Sequence, residues 1–114
     1  MKTGRELIEE ERWRQQINEG YTREHDDQHD AGDLARAALC YDLIGNGSLG
    51  TSDANADQSS ASLPPAWPWA KQWWKPKTRI RNLVRAGALY QAEIDRLTRC
   101  VSQVAQEIDA LTAK

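Results

Sequence analysis

The sequence predicts an all-α fold built on one long C-terminal helix. Two observations carry this. From Ile80, apolar residues recur at Ile80, Leu83, Gly87, Tyr90, Ile94, Leu97, Val101, Val104, Ile108 and Leu111, with spacings that alternate three and four. That is a heptad seam sustained over more than four heptads. Upstream, two shorter stretches have helical periodicity and helix-terminal signals, and no stretch alternates as a strand does.

The first helix is expected from Thr3 to Asn18. Thr3 and Glu6 have the spacing of a capping box. Glu6, Glu9, Glu10 and Glu11 suit the positive end of the helix dipole. Its apolar stripe is thin (Leu7, Ile8, Trp13, Ile17), and Gly20 ends it. Tyr21 to Asp33 reads as a polar connection, with Asp30 and Asp33 as capping acids for a second helix that runs to Leu43. Leu34, Ala38 and Tyr41 form its stripe, and Ala35, Ala37 and Ala38 permit close packing. Gly45-Asn46-Gly47 is expected to stop it.

Residues 45–62 are mostly Gly, Ser, Asn, Asp and Ala with Leu49 as the only large apolar side chain, the composition of a flexible surface loop. The texture then changes. Four of five tryptophans and all four prolines fall in the fourteen residues 63–76. Proline excludes a continuous helix there, so the segment is expected to lie extended across the helices. The last helix, 78–113, would be about 50 Å long at ~1.5 Å per residue. Two short helices cannot cover it. The seam from Ile94 onward is therefore expected to meet another copy of the chain, making a homo-oligomer along Ile80 to Leu111. The flanking e and g positions carry few charges, which also admits a broader bundle.

The 114 residues make one domain, 1–114, with mean hydropathy −0.77. No apolar run approaches the ~18 residues of a membrane span. There is no signal-peptide core, and Cys40 and Cys100 are too far apart for a CxxC site. A cytoplasmic chain with reduced thiols is expected, with no cofactor implied. The net charge of −2 hides a gradient. Residues 1–33 carry ten acids and five bases, whereas 67–114 carry four acids and nine bases. Lys71, Lys75, Lys77, Arg79, Arg81 and Arg85 come without an intervening acid. A solvated basic helix start would explain that run, as would an anionic ligand.

Three constellations could carry chemistry. The first is His25-Asp26-Asp27-Gln28-His29-Asp30, whose histidines and carboxylates can bind a metal, hydrogen-bond a ligand, or simply precede a helix. No third histidine exists to complete a metal set. The second is Glu6-x-x-Glu9 with Asp30-x-x-Asp33, the acid spacing used by MazG-like helical pyrophosphatases to hold Mg²⁺. The third is Trp67, Trp69, Trp73 and Trp74 interleaved with Lys75, Lys77, Arg79 and Arg81. Indole faces stack on bases and cations hold phosphates, although a core without Phe also needs Trp as filler. Long nucleic acid is not expected, because the acidic first third would repel it.

Several motifs resemble a family of small phage and prophage proteins: Glu11-Arg12-x-Arg14-Gln15, Glu19-Gly20-Tyr21-Thr22, His25-Asp26-Asp27-Gln28-His29, Trp73-Trp74-Lys75-Pro76, Arg79-x-Arg81-Asn82-Leu83-Val84-x-Ala86-Gly87-Ala88-Leu89 and Ala92-Glu93-Ile94-Asp95-Arg96-Leu97. Trp13, Gly20, Tyr21, Asp26, Asp27 and Arg81 are also similar to positions of the ryanodine-receptor repeat. That resemblance implies binding of a nucleotide signal, such as a cyclic dinucleotide or an ADP-ribose derivative, by a non-enzymatic sponge that counters host defence. Trp73 or Trp74 would stack on the base. Lys75, Lys77, Arg79 and Arg81 would hold phosphates. Arg12, Gln15, Tyr21, His25, Asp26, Asp27 and His29 would read polar groups, from the same or a neighbouring subunit. The alternatives are a Mg²⁺-dependent nucleotide pyrophosphatase and a protein-binding adaptor that uses the Trp-Pro segment.

Overall fold

In the computed structural model, residues 1–29, 31–47 and 57–113 are described. Four helices form: α1 (Gly4–Asn18), α2 (Arg23–Asp27), α3 (Asp33–Gly47) and α4 (Arg79–Thr112). A 3-10 turn at Lys71–Trp73 interrupts the Trp-Pro segment. No strand occurs among the described residues, apart from one isolated bridge between Asp57 and Thr78. The expected 45–62 loop and the capping role of Asp30 fall largely outside the described residues.

Threonines start three of the helices. Thr3 and Glu6 close the capping box. Thr22 accepts from the His25 N–H and Thr78 from the Arg81 N–H, both at 3.2 Å. The helix ending at Asn18 turns through Gly20 at φ +73°, which a side chain would resist. The sequence reading missed α2, a single turn inside the polar connection, because it has no apolar stripe. α3 runs through Gly45-Asn46-Gly47 instead of stopping there.

All the other helices pack on α4. The core is small and rich in alanine. Leu34, Ala37, Ala38, Cys40 and Tyr41 of α3 join Ala86, Leu89 and Ala92 of α4, with Tyr21 and Trp67 closing the cluster. The inward positions of α4 are Asn82, Arg85, Leu89, Ala92 and Arg96, which also repeat at three and four. This corrects the expectation that α1 and α3 shelter the first half of the heptad seam. They pack on the opposite face, so Ile80 and Leu83 stay exposed along with Ile94 (62%), Val101 (70%) and Leu111 (71%). Two seam residues are exceptions: Tyr90 is half-buried against the core, and Gly87 has Ile8 of α1 against it, where a Cβ would meet Ile8 Cδ1 at 2.7 Å.

α1 likewise turns its polar side inward. Glu11 and Gln15 are buried, whereas Trp13 (67%) and Ile17 stand in solvent. Glu11 is the tie between α1 and α4. It accepts two hydrogen bonds from Arg14, at 2.8 and 2.6 Å, one from Gln15 at 3.0 Å, and one from Arg81 seventy residues away. Burial raises its pKa, but the Arg14 hydrogen bond and the charges of Arg14, Arg81 and Arg85 outweigh burial, leaving it below the ordinary carboxylate value.

Asn82, fully buried, anchors the chain leading into α4. Its side chain accepts from the Lys77 N–H (2.8 Å) and donates to Gln58 Oε1 (3.0 Å), while Gln58 Nε2 donates to the Ile44 carbonyl (2.8 Å). The Trp-Pro segment forms no continuous helix, as expected from its prolines, but it is not uniformly extended: it turns at Pro64–Trp67 and again at Ala70–Trp74. Its fixed points are Trp74 Nε1 donating to the Ala61 carbonyl (3.1 Å), the Lys75 N–H donating to the Tyr41 hydroxyl (3.2 Å), and the Arg85 guanidinium donating to the Lys75 carbonyl.

Removing a partner from a buried ion cluster strands the remaining charges, at a cost of about 3–5 kcal/mol. Glu11→Ala is therefore expected to lower the unfolding free energy by about 3 kcal/mol or more, read by urea denaturation. Because the folded-state pKa is depressed, the stabilisation from Glu11 is complete above the ordinary carboxylate range and fades as pH falls through the lowered value. Glu11→Gln should accordingly lose less stability on acidification than the parent chain.

Candidate ligand cleft

One line of aromatic rings crosses the molecule. Trp74 stacks on Tyr41 (centroids 4.8 Å, interplanar 24°), and Trp67 packs edge-on against both. Trp67 meets Trp69 at 5.4 Å, and Trp69 meets Tyr21 at 5.5 Å and His29 at 5.5 Å. Tyr21 stacks on His25 at 4.8 Å and 13°. The line ends in an open cleft of about 290 Å³ lined by Glu19, Tyr21, His25, His29, Trp69 and Trp73. Trp67 and Trp69, on either side of Pro68, let one segment supply both the core and the cleft wall.

The two histidines form the middle of a four-residue chain. His25 Nδ1 lies 3.2 Å from Asp26 Oδ1, and His29 Nδ1 lies 3.1 Å from Asp33 Oδ2. Their Nε2 atoms face each other at 3.1 Å. A contact of that length needs one nitrogen to donate and the other to accept, which links the two imidazoles as a pair. Burial pushes the Asp26 carboxyl above its ordinary value despite His25 and Arg12. The His29 hydrogen bond draws Asp33 below its ordinary value, with Arg36 assisting against a small burial penalty.

Tyr21, His25, His29 and Trp73 therefore meet in one cleft of one chain. Lys75 stands at its rim, with Nζ 5.3 Å from the Trp73 ring centroid and 3.6 Å from Glu19 Oε1. The remaining sequence candidates lie elsewhere. Trp74 belongs to the core, half-buried on Tyr41. Gln15 is buried beside Glu11. Arg81 is paired with Glu11. Lys77 is exposed, and Arg79 is half-buried on the first turn of α4. Arg12 reaches Asp26 from the side of α2 away from His25, and Asp27 accepts from Arg99.

The sequence reading misses Glu19, counts Trp69 in the tryptophan constellation without a role of its own, and takes Asp33 as a capping or Mg²⁺ acid and not as a partner of His29. Asp33 was visible as the residue four after His29, whereas nothing local pointed Glu19 or Trp69 into a cleft. The proposed Mg²⁺ acids are spread out: Glu9 pairs with Arg5 on the exposed side of α1, and Asp33 pairs with His29 and Arg36. Among the described residues, no three His, Cys, Asp or Glu side chains are grouped as metal ligands. No described helix is long and apolar enough to cross a membrane.

Comparison with family models, curated proteins and solved structures gives no match.

The two neighbouring tryptophans differ in role, and a pair of substitutions separates them. Trp74→Ala empties a packed site and is expected to cost about 3–5 kcal/mol of stability. Trp73, 39% exposed with no core contact to lose, is expected to tolerate alanine within about 0.5 kcal/mol. Thermal melts of the two variants check this.

Proposed function

We propose that this protein binds a small anionic ligand with an aromatic ring, in chemical class a nucleotide, and holds it without turnover as an assembly of copies joined along α4. The observation that carries the first half is the exposed Trp73 indole beside Lys75, on the wall of a cleft whose other rings belong to Tyr21, His25, His29 and Trp69. A planar base has ring faces to lie against there, and Lys75 stands where a phosphate oxygen would compete with Glu19. Binding without turnover follows from how the ionisable groups are used. Glu19 is held by Arg14 and Lys75, His25 by Asp26 and His29, and His29 also by Asp33. Both ring nitrogens of each cleft histidine already have a partner within the chain, and this reading takes them as groups that shape the cleft. A sponge that sequesters a nucleotide second messenger would need only this much.

The second half rests on the exposed seam. Beyond Arg99 every described residue of α4 is exposed, and an isolated helical stretch of that length is marginal in water. Ile94, Leu97, Val101, Val104, Ile108 and Leu111 present three successive apolar layers. Such a contiguous patch marks an interaction surface. A second copy is the occupant that matches it in length and register, through an isologous contact. β-branched residues fill Ile94, Val101 and Ile108, and the alternate positions are Leu97, Val104 and Leu111, so two of three follow the pattern of a parallel two-stranded coil while Val104 and the uncharged flanks also admit a larger bundle.

A thermal-shift panel of mono-, di- and cyclic nucleotides tests the binding half. At least one nucleotide is expected to raise the melting temperature, to be recovered intact by mass spectrometry, and to lose its effect with Trp73→Ala. A panel without any shift, or recovery of a cleaved product, contradicts the proposal.

A further inference from the structure

On the side of α2 away from the aromatic cleft lies a second depression, of about 300 Å³, lined by Arg12, Gln16, Arg23, Asp95, Thr98 and Arg99. Its arginines are held only in part. Arg12 Nη2 donates to Asp26 Oδ2 at 3.2 Å, and Arg99 Nη2 donates to Asp27 Oδ1 at 2.6 Å. These consecutive aspartates of α2 thus fix one guanidinium from α1 and one from α4. Each guanidinium keeps another buried N–H with no acceptor, at Arg12 Nη1 and Arg99 Nε. The Arg12 side chain is only 12% exposed, so solvent has little access to it. Arg23 makes no ion pair or side-chain hydrogen bond among the described residues.

Buried donors without acceptors are costly in a folded chain, and here two of them sit in one groove with a third, unpaired guanidinium. Guanidinium N–H groups match the oxygens of a phosphoryl group better than any other side-chain donor does. Asp26 and Asp27 reduce the net charge but leave these particular N–H groups unmatched. Asp95, across the groove on α4, adds a carboxylate that can accept from a hydroxyl. We infer that this groove is a phosphate site, in which the guanidinium groups of Arg12, Arg23 and Arg99 hold the phosphoryl oxygens of a small phosphate monoester, the buried Arg12 and Arg99 donors turning out to meet it, and Asp95 accepts from a hydroxyl of the same molecule. The inference is independent of the nucleotide reading, because no residue is shared between this groove and the aromatic cleft.

Calorimetric titration of the full chain with inorganic phosphate and with pyrophosphate tests it, using two variants chosen to leave the fold alone. Arg23→Gln removes a side chain that has no internal partner. Arg99→Lys retains a cation for Asp27 but lacks the Nε donor. Saturable binding is expected, weakened about tenfold or more in each variant, as for loss of a charge-assisted hydrogen bond, and unchanged in Trp73→Ala. Absence of saturable heat at millimolar anion overturns the inference. So does binding that survives both variants, which would place the anion on the basic run from Lys71 to Arg81.

Discussion

The rest of the molecule depends on α4 having two faces, of which the other helices cover the more polar one. Asn82, Arg85, Leu89, Ala92 and Arg96 face inward, while the heptad seam from Ile80 to Leu111, apart from Gly87 and Tyr90, faces outward. The inward face is mostly small or polar, so it gains less from burial than the seam would. What holds α1 and the Trp-Pro segment to it is therefore charge and hydrogen bonding: Glu11 with Arg81, Arg85 with the Lys75 carbonyl, Asn82 with Gln58 and Lys77. Such contacts are directional and fix positions closely, at the cost of desolvating several charges.

That choice of face also sets where the clefts lie. With α1 docked through Glu11, its far end brings Glu19 and Tyr21 under the Trp69 indole, and Thr22 starts the single turn of α2. Asp26 is buried in that turn, with one oxygen toward His25 and the other toward Arg12. It lines neither depression but holds one lining residue of each, His25 of the aromatic cleft and Arg12 of the arginine groove. A change in its charge would reach both, through the imidazole pair on one side and through Arg12 on the other.

Much of the architecture could be read from the residues. Thr3 with Glu6, Gly20, the prolines of 64–76 and the long periodic run each gave a correct element with a physical reason. The face assignment could not, because α4 carries two interleaved three-four repeats. Hydrophobicity singles out Ile80, Leu83, Ile94 and Leu97 as core, yet the chain buries the series through Asn82, Arg85, Leu89 and Ala92. Long-range ion pairs decide between them, and Glu11 with Arg81, or Asp27 with Arg99, are seventy or more residues apart. The candidate site was legible in part for the same reason. Tyr21, His25 and His29 lie close together in the chain, and Trp73 stood out by composition. Whether Trp73 or Trp74 faced outward depended on Tyr41, which no local spacing reveals.

Sedimentation equilibrium at micromolar concentration tests the two-faced helix most directly, with the parent chain set beside Val101→Asp. Val101 lies beyond every contact the chain makes with itself, so a charge there burdens only a contact between copies. The expected result is a multiple of 12.9 kDa for the parent and 12.9 kDa for the variant, with the body of the fold intact in both. A parent that sediments as a single 12.9 kDa particle would contradict the account, because the seam would then stand in water with nothing to cover it.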